Sequence, residues 1–273
     1  MFYQPITQVD YLSSVKITSH FLPENTDPSI GTGLFVVRDT VLFFVTVRHL
    51  IGKNHKPPAD RVGKILDSVS LEYYGINREN GRFSYHHHRN LRADFRECDD
   101  ENDLAVARVG VALEIPTNRI NVFRYEELAT DESLSYFPGE PVFLSGYPPI
   151  QAYALPNEQA PMPVLRQGIF SMMPSFGCRI PNKLGSDYSY IDTFALGGMS
   201  GSPVIAPQIG QPPNNGNPIV FSRYSPRQVV GILAGKVNSR EERADEERIA
   251  SAHSGLSYYV RSQSIIRLIN QFQ

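Results

Sequence analysis

The stretch GGMSGSPV, residues 197–204, sets one small hydroxyl residue among glycines and then closes with a proline. A sharp turn of this kind needs a residue without a Cβ two places before the serine, and Gly198 supplies it. Gly201 leaves space on the other side of Ser200. Pro203 and the proline-rich run beyond it forbid a helix, because proline lacks the amide donor and its ring clashes with the preceding turn. The segment therefore reads as a tight turn feeding a strand, SPVIAP. Alone, a glycine knot around a serine is a turn and nothing more. The rest of the chain decides whether it is also a site.

Short apolar and β-branched runs recur along the chain, each bounded by Gly, Pro, Asn or Asp. They are SVKITSHF, GTGLFVV, TVLFFVTV, SVSLEYY, DLAVARV, PVFLSGYP, VLRQGIFSMM, SPVIAP, QVVGILAGKV and LSYYV. Many short strands separated by turn signals predict an all-β sandwich or barrel. The one good helical pattern is terminal, SQSIIRLINQF, where Ile265, Ile266, Leu268, Ile269 and Phe272 form a broad apolar stripe. A polar, turn-rich stretch at 126–139 separates two groups of strands, which predicts an N-terminal unit over 1–130 and a C-terminal unit over 131–273. PQIGQPPNNGNP and NSREERADEERIASAH read as long surface loops, the second as a charge run with the option of a short solvated helix.

At 273 residues the chain can bury a sizeable core as one large domain or two small ones. Acids and bases nearly balance, at a formal charge of −2, which gives no electrostatic case for nucleic acid or an anionic membrane. No apolar run reaches the length needed to span a bilayer. The start, MFYQPITQVDYLSS, has neither a basic opening nor an uninterrupted apolar core, so no secretory signal is expected. The two cysteines, Cys98 and Cys178, are too few for a disulfide scaffold and fit free thiols in a reducing compartment. The expectation is a cytoplasmic protein.

Three positions carry chemistry. TVRHLI puts His49 at the end of a strongly apolar strand, ENDLAVARV puts Asp103 at the start of another, and the glycine turn holds Ser200. Acyl transfer needs a nucleophile, a base to take its proton, and a carboxylate to hold that base in the right tautomer. It also needs donors for the oxygen that becomes negative. The amides of Gly198 and Ser200 can aim at one point, and such donors are typically worth roughly 3–4 kcal/mol each. Each residue alone has an ordinary explanation: a structural histidine, a turn carboxylate, a tight loop. Their joint occurrence at three strand ends inside an all-β pattern favours the chemical one.

GTGLFV, TVRH, NDLAVARV and GMSGSPV, followed by VVGILAG, GLSYYV and a terminal helix, resemble the chymotrypsin/trypsin-like serine proteases. Gly198-Met199-Ser200-Gly201-Ser202-Pro203 matches that family's Gly-x-Ser-Gly-x-Pro. IDTFALGGMSGSP is also similar to the bacterial high-temperature-requirement and glutamyl endopeptidase branches, which have Asn or Gln where Met199 stands. PGEPVFLSGYP and VLRQGIFSMM look like the opening strands of the family's second barrel, so the likeness runs from about residue 31 to 272. The resemblance implies two six-stranded antiparallel β-barrels with a cleft between them. It puts His49 and Asp103 on the first and Ser200 on the second, and a C-terminal α-helix at the end. It implies that Phe194 floors the primary specificity pocket, that Ala234, Gly235 and Lys236 bind an extended peptide edge-on, and that Ser254 and Gly255 form the opposite wall. Phe194 cannot pair a cation, so an apolar side chain of small or medium size is the expected preference. The implied partner is a peptide or protein substrate, with no metal and no organic cofactor. Secreted relatives carry Asp at the position of Met199 to capture a newly cut N-terminus; a thioether cannot, so activity without such processing is expected. Restraint would then come from the two long loops, the first spanning 208–217, or from a regulatory protein partner.

Competing readings are weaker. An α/β-hydrolase elbow, Gly-x-Ser-x-Gly, would need glycine where Ser202 stands and a helix straight after the serine. Ser202 itself lacks glycine two places before it. The run His86-His87-His88 would set His86 and His88 on one face of a strand, yet no third ligand lies nearby in sequence, and an exposed histidine-bearing strand or loop is the simpler account. Cys98 and Cys178 have no dedicated histidine. A catalytically silent binding module on the same fold would be expected to have lost one of the three residue types, and all three are present. An esterase on the same fold is nearer, since the residues do not dictate the acyl group.

Overall fold

The computed structural model describes residues 7–22, 27–52, 65–76, 80–91, 95–97, 101–109, 120–149, 161–180, 185–210, 223–241 and 250–272. Ten runs of alternating or continuous apolar residues become strands, as their period and length dictate. Eight strands build the N-terminal sheet. They are β1 (Ser14–Leu22), β2 (Ser29–Arg38), β3 (Val41–Thr46), β4 (Ile65–Ile76), β5 (Phe83–Leu91), β6 (Phe95–Glu97), β7 (Ala105–Arg108) and β8 (Phe123–Arg124). Their order is β5-β4-β1-β2-β3-β7-β6, with β8 pairing β2 in parallel. β1 shows why: its burial alternates along most of its length, one face of Val15, Ile17, Ser19 and Phe21 turned inward.

The C-terminal half is a closed antiparallel barrel in the order β10-β11-β14-β13-β12-β9. Its strands are β9 (Pro141–Gly146), β10 (Val164–Phe170), β11 (Tyr188–Asp192), β12 (Pro203–Ala206), β13 (Gln228–Glu241) and β14 (Ala250–Arg261). A single turn of helix, α1 (Gln8–Tyr11), precedes β1, and α2 (Ser262–Ile269) follows β14. The molecule is mostly strand with a terminal helix, the chymotrypsin-like arrangement of two β-units expected above. The first unit differs in count from six strands. β6 and β8 are only three and two residues long, too short to leave a period-two pattern.

Among the described residues, two large apolar clusters stand beside a small third one around Leu12 and Tyr74. One gathers Leu34, Phe35, Val36, Phe44, Val45, Leu71, Tyr73 and Val106 of the first sheet, and continues through Ile205, Val229, Ile232 and Val260 of the barrel. The other fills the barrel with Val142, Leu144, Phe170, Ile191, Met199, Val204 and Tyr259. Each fully buried Leu or Phe contributes about 1.5–3 kcal/mol relative to exposure. Because the first cluster crosses from sheet to barrel, neither unit completes its apolar burial alone.

The terminal helix bridges the same divide. Ile265, Leu268 and Ile269 are buried in the shared cluster, and Phe272 meets Phe43 edge-on at 5.3 Å between ring centroids. On its polar side, Asp187 accepts from Arg261 at 3.0 Å and from Ser264 and Arg267 of the helix. Arg261 also donates to the carbonyls of Pro174 at 3.1 Å and Ser175 at 2.9 Å.

The second long surface loop expected from the charge run is strand at both of its ends. Residues 238–253 are not a single loop. β13 and β14 run on as a hairpin, with Asn238 opposite His253 and Glu241 opposite Ala250. Cross-strand backbone bonds hold polar residues as readily as apolar ones, so the charge run concealed two strand ends. Residues 242–249 lie outside the described residues, as do Cys98 and most of the first loop. Of that loop, Ile209 bridges Ser225.

The histidine run forms β5. The rings of His86 and His88 stack on Tyr73 at 5.2 and 5.7 Å between centroids. Nε2 of His88 meets the Tyr73 hydroxyl at 3.0 Å, and Nε2 of His86 meets the Ser84 hydroxyl at 2.8 Å. Among the described residues no group of three or more His, Cys, Asp or Glu is placed to hold a metal. Burial, then the neighbouring histidine, lowers the pKa of both His86 and His88. The unfolded chain, titrating near roughly 6.5, binds protons that the folded chain refuses. This contribution to stability is therefore whole above about pH 6.5 and is lost as pH falls below it. Urea midpoints are expected to drop between pH 7 and 5, and the double variant H86N/H88N to show a shallower drop.

Candidate active site

β3 and β7 pair antiparallel, with Thr46 opposite Ala105. The residues just past the end of β3 and just before β7 must therefore leave the sheet on the same side. His49 lies in the first group, on a 3₁₀ turn formed by Arg48–Leu50. Asp103 lies in the second. The Arg48 amide donates to the Asp103 carbonyl at 3.2 Å, stitching the two segments together. The Asp103 side chain is 2% exposed and that of His49 21%. Oδ1 of Asp103 accepts from the His49 amide at 3.0 Å, and Oδ2 lies 2.9 Å from Nδ1 of the ring. An ionised carboxylate only accepts, so this contact favours the imidazole tautomer that carries its proton on Nδ1.

Ser200 sits in the turn between β11 and β12. Gly198 and Gly201 hold φ of +79° and +87°, which other residues avoid. Space is short as well: a Cβ on Gly198 would lie 2.5 Å from the Tyr147 carbonyl, and one on Gly201 only 1.9 Å from that of Thr32. The turn rests on the first sheet, because the Thr32 amide of β2 donates to the Ser200 carbonyl at 2.8 Å. Thr32 precedes Gly33, the partner of Thr46, so the serine turn lies against the strand end from which His49 departs three residues later. Three amides of the turn already have carbonyl partners: Met199 on Leu196 and Ser202 on Met199 within it, and Gly201 on Leu233 of β13. Among the described residues the amides of Gly198 and Ser200 are not among these donors. Ser200 is half-buried, whereas Ser202 is sealed at 0% exposure, its hydroxyl against Gly146. A strand, not a helix, follows the turn, as Pro203 requires.

The three segments assigned to substrate contact lie side by side. Asp192 pairs with Leu256, and Lys236 with Ser257. The Thr193 amide donates to the Gly255 carbonyl at 3.0 Å, and the Ser257 hydroxyl to the Thr193 carbonyl at 2.9 Å. Phe194 is 53% exposed, a high value for the floor of a closed pocket. Gly255 holds φ of +87°, and the Ser254 hydroxyl donates to the Val237 carbonyl at 2.7 Å. Ala234 is buried at a register shift in β13, while Lys236 is exposed. β12 pairs β13 only as far as Ile232. Beyond it, among the described residues, β13 has a strand partner on one edge only. Cys178 is a free thiol whose pKa burial raises, which makes it a poor nucleophile.

Sequence reasoning missed two contributors. The Tyr258 hydroxyl lies where a Cβ on Gly235 would be 2.4 Å away. Burial pushes this tyrosine up to about 12, and the nearby Asp103 charge adds to the shift. Thr32 lies within GTGLFV, a run that signals only a strand. Nothing in either segment marks the partners that the fold brings to it.

The chain matches the trypsin-like peptidase domain over residues 31–212 and belongs to that family. It is a trypsin-like serine protease, a hydrolase whose substrates are peptides or proteins. Among solved structures it is similar to the crystal structure of Deg5, at 17% identity and a TM-score of 0.51, over 95% of this chain and 88% of that one. This likeness speaks for the fold. No curated protein matches the sequence. Among the described residues, no helix is long and apolar enough to cross a membrane.

Gly201→Ala would push a methyl into the Thr32 carbonyl at a φ that alanine resists. The expected result is a loss of about 1–3 kcal/mol or more, read as a lower melting midpoint.

Proposed function

We propose that Ser200, His49 and Asp103 form the catalytic triad of this protease. The observation that carries the reading is the buried Asp103 carboxylate, which holds both the backbone amide and Nδ1 of His49 and so makes Nε2 the nitrogen that acts as the base. Ser200 Oγ attacks the peptide carbonyl carbon while His49 Nε2 takes its proton. The tetrahedral intermediate collapses, His49 returns the proton to the leaving amine, and an acyl-enzyme remains. Water, activated by the same nitrogen, then hydrolyses the ester and restores Ser200. The amides of Gly198 and Ser200 hold the oxyanion through both steps.

The open edge of β13 beyond Ile232 supports binding of an extended peptide at Ala234, Gly235 and Lys236, in the manner of strand addition. Phe194, Ser254 and Gly255 then surround the first side chain of the acyl half. Phe194 offers an apolar surface and no carboxylate, which favours a small or medium apolar residue over Lys or Arg. The buried thioether of Met199 fits activity without capture of a new N-terminus. Loop 208–217, or a protein partner, gates the cleft in this reading. Two cysteines, one of them the free thiol Cys178, fit a reducing, cytoplasmic compartment.

Ser200→Ala is expected to abolish fluorophosphonate labelling and peptide hydrolysis while the circular dichroism spectrum stays unchanged. Labelling of that variant at the wild-type level would overturn the assignment. Asp103→Asn should keep the fold and lower kcat by roughly 10⁴-fold, because the amide favours the wrong imidazole tautomer. A fall of less than about tenfold would remove Asp103 from the triad.

A further inference from the structure

We propose that Thr32 is the positioning residue of the oxyanion turn, a reading that rests on the triad assignment above and extends it. Thr32 lies on β2 at 0% exposure, on the unit opposite the turn it serves. Its hydrogen-bonding groups are engaged by the serine turn, by Tyr147 and by Thr46 of the neighbouring strand. Its amide donates to the Ser200 carbonyl at 2.8 Å. Its hydroxyl donates to the Gly198 carbonyl at 2.9 Å and accepts from the Tyr147 amide at 3.0 Å. Its carbonyl accepts from the Thr46 hydroxyl at 2.7 Å. Gly146 keeps the space open, since a Cβ there would stand 3.1 Å from the Thr32 hydroxyl.

These bonds fall on the peptide units that matter. The Gly198 amide belongs to the unit before Gly198 and the Ser200 amide to the unit before Ser200. The unit between them carries the Gly198 carbonyl, and its orientation sets the angle between the two donors. Glycine at φ +79° is needed for the turn, yet glycine also lets that unit rotate more freely than any other residue. Two bonds fix it: the Met199 amide donates to Leu196 at 3.2 Å, and the Thr32 hydroxyl holds the carbonyl at its other end. Met199 is buried and uncharged, so no ion pair at its own side chain can do this. The latch comes instead from a neutral hydroxyl on the facing sheet, already satisfied at its lone pair by Tyr147. The order in the oxyanion hole therefore depends on the contact between the two units.

The test compares wild type with Thr32→Val, which keeps the shape and removes the donor, and Thr32→Ser, which keeps the donor. A peptide substrate and a peptide aldehyde, whose adduct with Ser200 needs the oxyanion donors, are the probes. Thr32→Val is expected to lower kcat by about 10- to 100-fold, below the cost of deleting a donor outright. KM should stay within about threefold, and affinity for the aldehyde should fall in step with kcat. Thr32→Ser should recover kcat to within about threefold of wild type. If Thr32→Val does not fold, Thr32→Cys, a similar shape with a weaker donor, takes its place with the same expected direction. Wild-type kcat in folded Thr32→Val, or in Thr32→Cys where that takes its place, or a loss of melting temperature alone, overturns the proposal and leaves the triad standing. Wild-type protein that neither hydrolyses peptide nor takes a fluorophosphonate sinks the triad reading and this one with it.

Discussion

A carboxylate taken out of water needs hydrogen bonds to remain charged, and Asp103 finds two in a single residue. One oxygen takes the His49 amide at 3.0 Å and the other meets its ring at 2.9 Å. The pairing therefore fixes the place of the imidazole, its rotation and its tautomer together. It depends in turn on the register of β3 against β7, since a slip of one residue would send Asp103 to the opposite face. That register is enforced by Phe44, Val45, Val106 and Ala107, all at 0% exposure. The apolar strand ahead of His49 serves the site by refusing to slide.

The serine turn answers to a different constraint. It belongs to the barrel by sequence, yet it is shaped by the sheet across from it. The Gly201 amide and the Ser202 carbonyl both bond Leu233, so the turn is tied to β13 on one side and to Thr32 on the other. This explains why the glycines around Ser200 come where they do. Gly198 and Gly201 combine a left-handed backbone with a close approach to neighbouring carbonyls, and either demand alone would disfavour a side chain.

Much of this was legible in the sequence because it is written in local patterns. Runs such as TVLFFVTV and QVVGILAGKV announce buried strands, and the stripe from Ile265 to Phe272 announces the helix. His49, Asp103 and Ser200 stood out because each ends or begins such a run. The pairing of residues 238–241 with 250–253 was hidden because charge says little about backbone pairing, and a two-stranded ribbon can carry charge along its length. β6, β8 and β11 left no signal, being short or, like YSYID, interrupted by a buried serine, Ser189. Thr32 and Tyr258 were invisible for a deeper reason. Each acts through a partner far away in the chain, and one sequence carries no record of that distance.

The terminal helix has its apolar stripe in the cluster shared with the first sheet and its charged side fastened to Asp187 at the start of β11. Heat that loosens either half therefore deprives the helix of one of its two holds, and the departing helix uncovers the other half. The helix thus couples the two β-units, so that loosening of one is felt by the other.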